Sequence, residues 1–358
     1  MPANSPFSTF NSPFQNERAT QKRVTTLFRD ELQYRYLGDW TDRNGNSNIE
    51  AGLLTAYLTM SGYTLAQISS ALYKLRTEAD NHSRGLYGNN QAVYSLLRYG
   101  VPVKIEAGQV TETVHLINWQ EPKHNDFAIA EEVTLRGHRE RRPDIVLYVN
   151  GIAVGVLELK RSSVSIGDGI RQSLSNQRPE FNERFFSTVQ FIFAGNDSEG
   201  LRYGAIGTPE KYFLTWKEDE ADNSRFKLDK YLLKMCRKDR LIELMHDFVL
   251  FDGGVKKLPR LHQYFGIKAA QEHVKRRQSG IIWHTQGSGK SIIMVLLARW
   301  ILEHNPHARV AIPRWSPAAA CAVAQPPCAR GHHHRPRRVR HTDRAGLHRG
   351  GRDHLPHQ

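Results

Sequence analysis

The pair Asn150-Gly151, set between the apolar runs Ile145–Val149 and Ile152–Leu159, constrains this chain more than any other feature. Asn-Gly between β-branched runs predicts a two-residue hairpin, because both turn residues take a positive φ. Asp144 opens the first strand, and Glu158 and Lys160 lie near the end of the second, so charge gathers only at the open end of an apolar ribbon. Glu158 and Lys160 are two residues apart and share one strand face. Strict pairing around a two-residue loop, however, sets Asp144 opposite Leu157 and leaves Glu158 on the other face. Two remedies stay open. One is a one-residue bulge, for which Gly155 is a natural place; the other is an Asp144 lying just outside the ladder, after Pro143.

Two carboxylates and a lysine converging there suit phosphodiester chemistry. Mg²⁺ takes hard oxygen ligands and keeps several waters, so two carboxylates plus a substrate phosphate would hold it. A bound metal polarises the phosphoryl oxygen and acidifies water, while Lys160 can orient that water and offset developing charge. Taken as bare residues, the same three side chains also fit solvated charges at strand ends.

The run 141–160, with Arg142-Pro143-Asp144 and Glu158-Leu159-Lys160, resembles the PD-(D/E)xK nuclease motif of the R (motor-nuclease) subunits of type I DNA restriction enzymes. The stretch 125–133, Gly169-Ile170-Arg171-Gln172, Glu17, Thr20-Gln21 and Tyr36-Leu37-Gly38 match that family too, and the resemblance covers about residues 15–312. It implies an α/β fold: a PD-(D/E)xK restriction-endonuclease-like domain followed by a truncated RecA-like P-loop domain. It implies Asp144, Glu158 and Lys160 as catalytic residues, with Asp144 and Glu158 as the Mg²⁺ ligands. Gln172, on the helix after the motif, joins that site. Many members pair this glutamine with a tyrosine four residues later; here that position is Asn176, so Gln172 alone is carried over. Glu17 stands where related nucleases carry an acidic residue on their first helix, or is simply a charge on a surface helix. Implied partners are DNA and the modification (methyltransferase) and specificity subunits, with cleavage of foreign DNA licensed by ATP-dependent translocation.

A second constellation lies downstream. A short apolar strand at 280–283 runs into His284-Thr285-Gln286-Gly287-Ser288-Gly289-Lys290-Ser291, and a helix follows over 290–302. In a P-loop, backbone N–H groups and the helix N-terminus cradle the phosphates of ATP, the lysine reaches the terminal ones and the Ser hydroxyl holds Mg²⁺. Lys290 and Ser291 take those places, and His284 stands where the general pattern has Gly. Gln263, in Arg260-Leu261-His262-Gln263, resembles the glutamine element that reads the adenine edge in such motors. No Asp-Glu pair follows Ser291 to complete a motor site. A truncated, translocation-incompetent form is therefore expected.

The chain divides accordingly into a disordered N-terminus (1–14), a nuclease domain (15–235), the start of the motor domain (236–312) and a tail (313–358). Helical spacing runs through the first hundred residues and recurs at 167–177, 230–250 and 261–277. Strand-like stretches occur at 101–105, 113–119, 127–135, 188–194 and 212–216. The tail holds nine Arg, seven His and six Pro with no apolar periodicity, and carries +7 of the total formal charge of +14. Its composition reads as an out-of-frame translation. A genuine basic tail, or a zinc site of His332, His333 and His334 with Cys321 and Cys328, are the alternatives. With half the charge in the tail, net charge says little about DNA binding by the rest. No run of eighteen apolar residues and no signal-peptide core occur, so no membrane partner and a cytoplasmic location are expected. Against an endonuclease stands a different class, a non-catalytic P-loop or DNA-binding fragment. Divalent-metal binding that depends on Asp144 and Glu158 separates the two.

Overall fold

In the computed structural model, which describes residues 17–105, 110–137 and 139–311, a seven-stranded mixed sheet grows on both sides of the Asn-Gly hairpin. The chain begins with helix α1 (Glu17–Thr26), extended by a π-turn over Leu27–Glu31, and strand β1 (Arg35–Asp39). Helices α2 (Ala51–Met60), α3 (Leu65–Ala79) and α4 (Leu86–Tyr99) follow, then a small ribbon of β2 (Val101–Val103) and β3 (Glu112–Val114). Next come β4 (Phe127–Glu131), β5 (Ile145–Val149), β6 (Ile152–Leu159), α5 (Ile166–Asn176), β7 (Phe191–Asn196), β8 (Gly200–Gly204) and β9 (Leu214–Thr215). The sheet order is β1-β4-β5-β6-β7-β8-β9. The β1–β4 and β6–β7 pairs are parallel and the others antiparallel.

The hairpin forms as its sequence requires. Asn150 and Gly151 take φ of 52° and 79°, the left-handed geometry of a type I′ turn. Val149 pairs Ile152 and Tyr148 pairs Ala153, but Leu147 pairs Gly155, so Val154 is one residue extra. This bulge, at the site expected, brings Ile145 opposite Leu157 and thereby Asp144 level with Glu158. The turn itself is buried. The Asn150 side chain accepts from Asp126 N at 2.7 Å and donates to Leu116 O at 2.9 Å and Asn125 Oδ1 at 2.8 Å. Gly151 lies against the start of α2, where a Cβ would come within 2.7 Å of Leu53 Cβ.

Two apolar layers flank the sheet because alternate residues face opposite ways. Ile145, Leu147, Val149, Leu157 and Leu159 join Val24, Phe28, Leu54 and Leu75 on the face covered by the N-terminal helices. Val146, Tyr148 and Val156 pack with Ile166 and Ile170 of α5 on the other. The first layer continues through α6 (Lys227–Met235), α7 (Lys238–Asp247), α8 (Leu261–Lys275) and α9 (Lys290–His304), with Tyr264, Ile267, Ile293 and Leu296 buried in it. A short ribbon, β10 (Leu250–Asp252) with β11 (Val255–Lys257), separates α7 from α8.

Several expectations need correction. The helical stretch 230–250 is two helices, α6 and α7, because Cys236 and Arg237 leave helical geometry between them. The strand expected over 113–119 ends at Val114. The strand expected at 280–283 does not form. Ile281 and Trp283 are 90% and 89% exposed, and no strand among the described residues offers their backbone a ladder, without which an isolated strand is not stable. Among the described residues the glycine-rich loop 284–291 thus has its helix but not the strand of a RecA-like sheet expected in front of it. The stretches 1–14 and 313–358, expected to be disordered and out of frame, lie outside the described residues. No helix among the described residues is long and apolar enough to cross a membrane.

Candidate active site

The open ends of β4, β5 and β6 bring three acidic residues into one row. Glu132 N donates to Asp144 O at 3.0 Å just beyond the β4–β5 ladder, and Leu159 N donates to Asp144 Oδ2 at 2.6 Å. That second bond fixes the carboxylate and leaves Oδ1 without a protein donor among the described residues. Glu158 is fully buried under α5. The helix starts at Ser165, whose Oγ accepts from Gly167 N at 3.1 Å. Ile166, Ile170 and Leu174 turn toward the sheet at four-residue spacing. Gln172 and Asn176 then project together, and their amides donate to Glu158 Oε2 at 2.8 Å and Oε1 at 3.3 Å.

Helix α5 passes close over β6 at Gly169, where a Cβ would just make ordinary contacts. A Cβ there would already stand 3.5 Å from Lys160 Cγ and 3.6 Å from Glu158 Cβ. On the opposite side, Lys160 Nζ donates to Glu17 Oε1 at 3.2 Å. Gln21, one turn along α1, donates to Glu132 Oε1 at 3.1 Å, and Arg142 pairs with Glu132 Oε2 at 3.1 Å. Arg23 ion pairs to Asp197 and Asp229 hold α1 in this position.

Crowded carboxyls out of water resist ionisation. Burial pushes the Asp144 carboxyl up to about 7, against the Leu159 amide and Lys160. Burial, and next the Asp144 charge, push Glu158 well above the usual carboxylate range. A hard divalent cation at this pair would relieve both effects. Oxygen donors of two adjacent carboxylates, one with a free oxygen, fit Mg²⁺ by ligand type. Asp144, Glu158, Lys160 and Gln172, singled out from sequence, all meet here. Glu132 is not singled out by the sequence, Gln21 enters there only as a family match, and Asn176 is set aside there for want of the family's tyrosine. Asn176 was legible as the residue one turn beyond Gln172, and Glu132 as the continuation of β4 opposite Asp144.

The nucleotide constellation is also drawn together. Gly287 and Gly289 take φ of 77° and 82°, and α9 begins at Lys290. Gln263 Nε2 donates to Ser288 O at 2.9 Å while Gln263 Oε1 accepts from Arg260 N at 2.8 Å. Lys290 Nζ folds back onto the carbonyls of His284 and Thr285 at 3.0 and 3.1 Å. Ser291 is half-buried beside them.

Comparison with known proteins places these observations. Residues 262–313 match a family model described as SWI2/SNF2 ATPase. A type I restriction enzyme HindI endonuclease subunit from Haemophilus influenzae is 29% identical over 238 residues, 60% of this chain and 22% of its own. A putative type I restriction enzyme MjaIXP endonuclease subunit from Methanocaldococcus jannaschii is 24% identical over 290 residues, 70% of this chain and 27% of its own. The chain thus spans about a quarter of the length of these curated relatives. Residues 14–211, more than half of the sequence, match the model described as type I restriction enzyme R protein N terminus, and the chain belongs to that family.

Proposed function

We propose that this chain is the nuclease end and the beginning of the ATPase of a type I restriction R subunit, and that it hydrolyses DNA phosphodiesters at Asp144, Glu158 and Lys160. On this reading residues 15–235 form a PD-(D/E)xK nuclease and 236–312 start a RecA-like motor. The observation that carries it is the bulge at Val154, which sets Asp144 level with Glu158 and puts Lys160 on the same face. Asp144, anchored through Oδ2, offers Oδ1 to a divalent cation, and Glu158 is held for the same ion by Gln172 and Asn176. Bound Mg²⁺ would supply Lewis acidity and a more acidic water. Lys160, relayed by Glu17, orients that water and offsets charge on the phosphoryl oxygens. ATP at Lys290 and Ser291, DNA, and methyltransferase and specificity subunits complete the proposed assembly.

The test is calorimetric titration with Mn²⁺ alongside plasmid nicking in Mg²⁺. Metal binding and nicking that both vanish in Asp144→Asn support the reading. Retention of both in that variant refutes it.

A further inference from the structure

The strands that carry Glu132 and Asp144 continue past the site into an arginine-rich tip. Residues 135–142 contain Arg136, Arg139, Arg141 and Arg142 against one acid, Glu140. Leu135 and Arg141 exchange backbone bonds at 2.8 and 3.1 Å, so the tip extends the ladder. It is also pinned to the segment that follows α5. Asn182 Nδ2 donates to Arg139 O at 3.4 Å, and the Arg141 guanidinium lies 4.0 Å over the Phe181 ring. A Cβ on Gly137 would stand only 2.1 Å from Phe181 O, so the tip touches that backbone directly. The tip therefore bridges the strands bearing Asp144 to the helix bearing Gln172.

Apart from Arg142, which pairs with Glu132, its charges have no acidic partner among the described residues. Arg136 and Arg139 are exposed. Among the described residues Arg139 and Arg141 have no carboxylate partner, and Arg136 donates only to Asn44 Oδ1, at 2.6 Å. The site beside them gathers the carboxyls of Glu17, Glu132, Asp144 and Glu158, so it adds little attraction of its own for a phosphodiester. Guanidinium forks match phosphate oxygens, and a pinned element loses little entropy on binding. We propose that Arg136, Arg139 and Arg141 of this tip form a clamp for the phosphate backbone of DNA, seating the strand so that its phosphodiester faces Asp144 and Glu158. This rests on the nuclease reading above.

The test uses the full chain, a fluorescent DNA duplex and anisotropy in EDTA over a range of salt. Arg136→Ala/Arg139→Ala is expected to weaken binding about tenfold and to make the log–log salt dependence shallower by roughly two, about one per phosphate contact. Arg136→Lys/Arg139→Lys is expected to keep the salt slope, and Arg141→Ala to weaken binding through loss of the Phe181 contact. Unchanged affinity and slope in the alanine variants would overturn the clamp, as would equal losses in the lysine and alanine variants. Mn²⁺ titration keeps the two readings apart. The arginine variants are expected to bind metal normally, and Asp144→Asn to bind DNA but no metal. Metal binding that survives Asp144→Asn refutes the nuclease reading and leaves the clamp measurement standing.

Discussion

Leu159 donates its backbone N–H to Asp144 Oδ2 at 2.6 Å, tying the carboxylate at the start of β5 to the strand that carries Glu158 and Lys160. The pair is thus positioned by backbone, and substitution can remove charge while keeping the anchor. Asp144→Asn retains an acceptor for Leu159 N but loses the anionic ligand. It is expected to keep its circular dichroism and lose DNA cleavage by on the order of a hundredfold or more, since a metal supplies several kcal/mol. Glu158→Gln should behave alike. Wild-type cleavage in either variant would remove these residues from the chemistry.

Gly169 sets how closely α5 approaches β6. Space for a Cβ exists at ordinary contact distance, 3.4 Å from Ala194 Cβ, but nothing larger fits without lifting the helix. Gly169→Ala is expected to be mild. Gly169→Leu should lengthen the Gln172–Glu158 contact and lower metal affinity about tenfold with the fold intact. Equal metal affinity in the two variants, measured by Mn²⁺ titration, would show that α5 does not position Glu158.

Asn150 carries the hairpin from the other end. It sits at φ 52° with its side chain fully buried and bonded to three partners. Asn150→Ala leaves buried groups unpaired in a backbone conformation that alanine disfavours, and about 2–4 kcal/mol of stability should be lost. Urea unfolding measures this, and a loss below 1 kcal/mol would contradict the account.

The hairpin, its bulge and the charged end were legible because a two-residue turn and a period of two leave few registers. Glu158 and Asp144 could share a face through a bulge, to which Gly155 pointed, or through an Asp144 outside the ladder. Asn176 is set aside in the sequence because the family expectation at that position is tyrosine, although its spacing from Gln172 places both on one helix face. Burial of the Asn150 turn was invisible because it depends on Leu116 and Asn125, distant in sequence. The stretch 280–283 misled for the opposite reason. Its apolar run has strand character, but a strand is made by neighbours, and none pairs with it among the described residues.

The two raised carboxyls make a statement about pH. A carboxyl whose pKa is higher folded than unfolded binds more protons in the native state, so its stabilising contribution is present below the unfolded value and is lost as pH rises through the folded one. For Asp144 that window runs from about 4 up to about 7. Metal-free protein is therefore expected to melt lower at pH 8 than at pH 5. Mg²⁺ should restore more at pH 8, where the ligands must be ionised. In Asp144→Asn/Glu158→Gln both the Mg²⁺ effect and this part of the pH dependence should disappear. An unaltered pH profile in the double variant, read by thermal unfolding, would refute the assignment.

Lys290 supplies the last expectation. Its ammonium donates to the carbonyls of His284 and Thr285, so nucleotide must draw it away from two acceptors before it can reach a phosphate. Gln263 meanwhile spends its amide on Ser288 O, coupling the position proposed to read adenine to the loop. Binding of a fluorescent ATP analogue in Mg²⁺ is therefore expected to be weak. Lys290→Ala should weaken it further by removing the charge that faces the terminal phosphates. Gln263→Ala should weaken ATP more than GTP, because the glutamine distinguishes the base edge while the loop contacts only phosphate. Comparable affinity for ATP and GTP in both wild type and Gln263→Ala would exclude Gln263 from base recognition. Undiminished binding in Lys290→Ala would exclude 287–291 as the phosphate cradle.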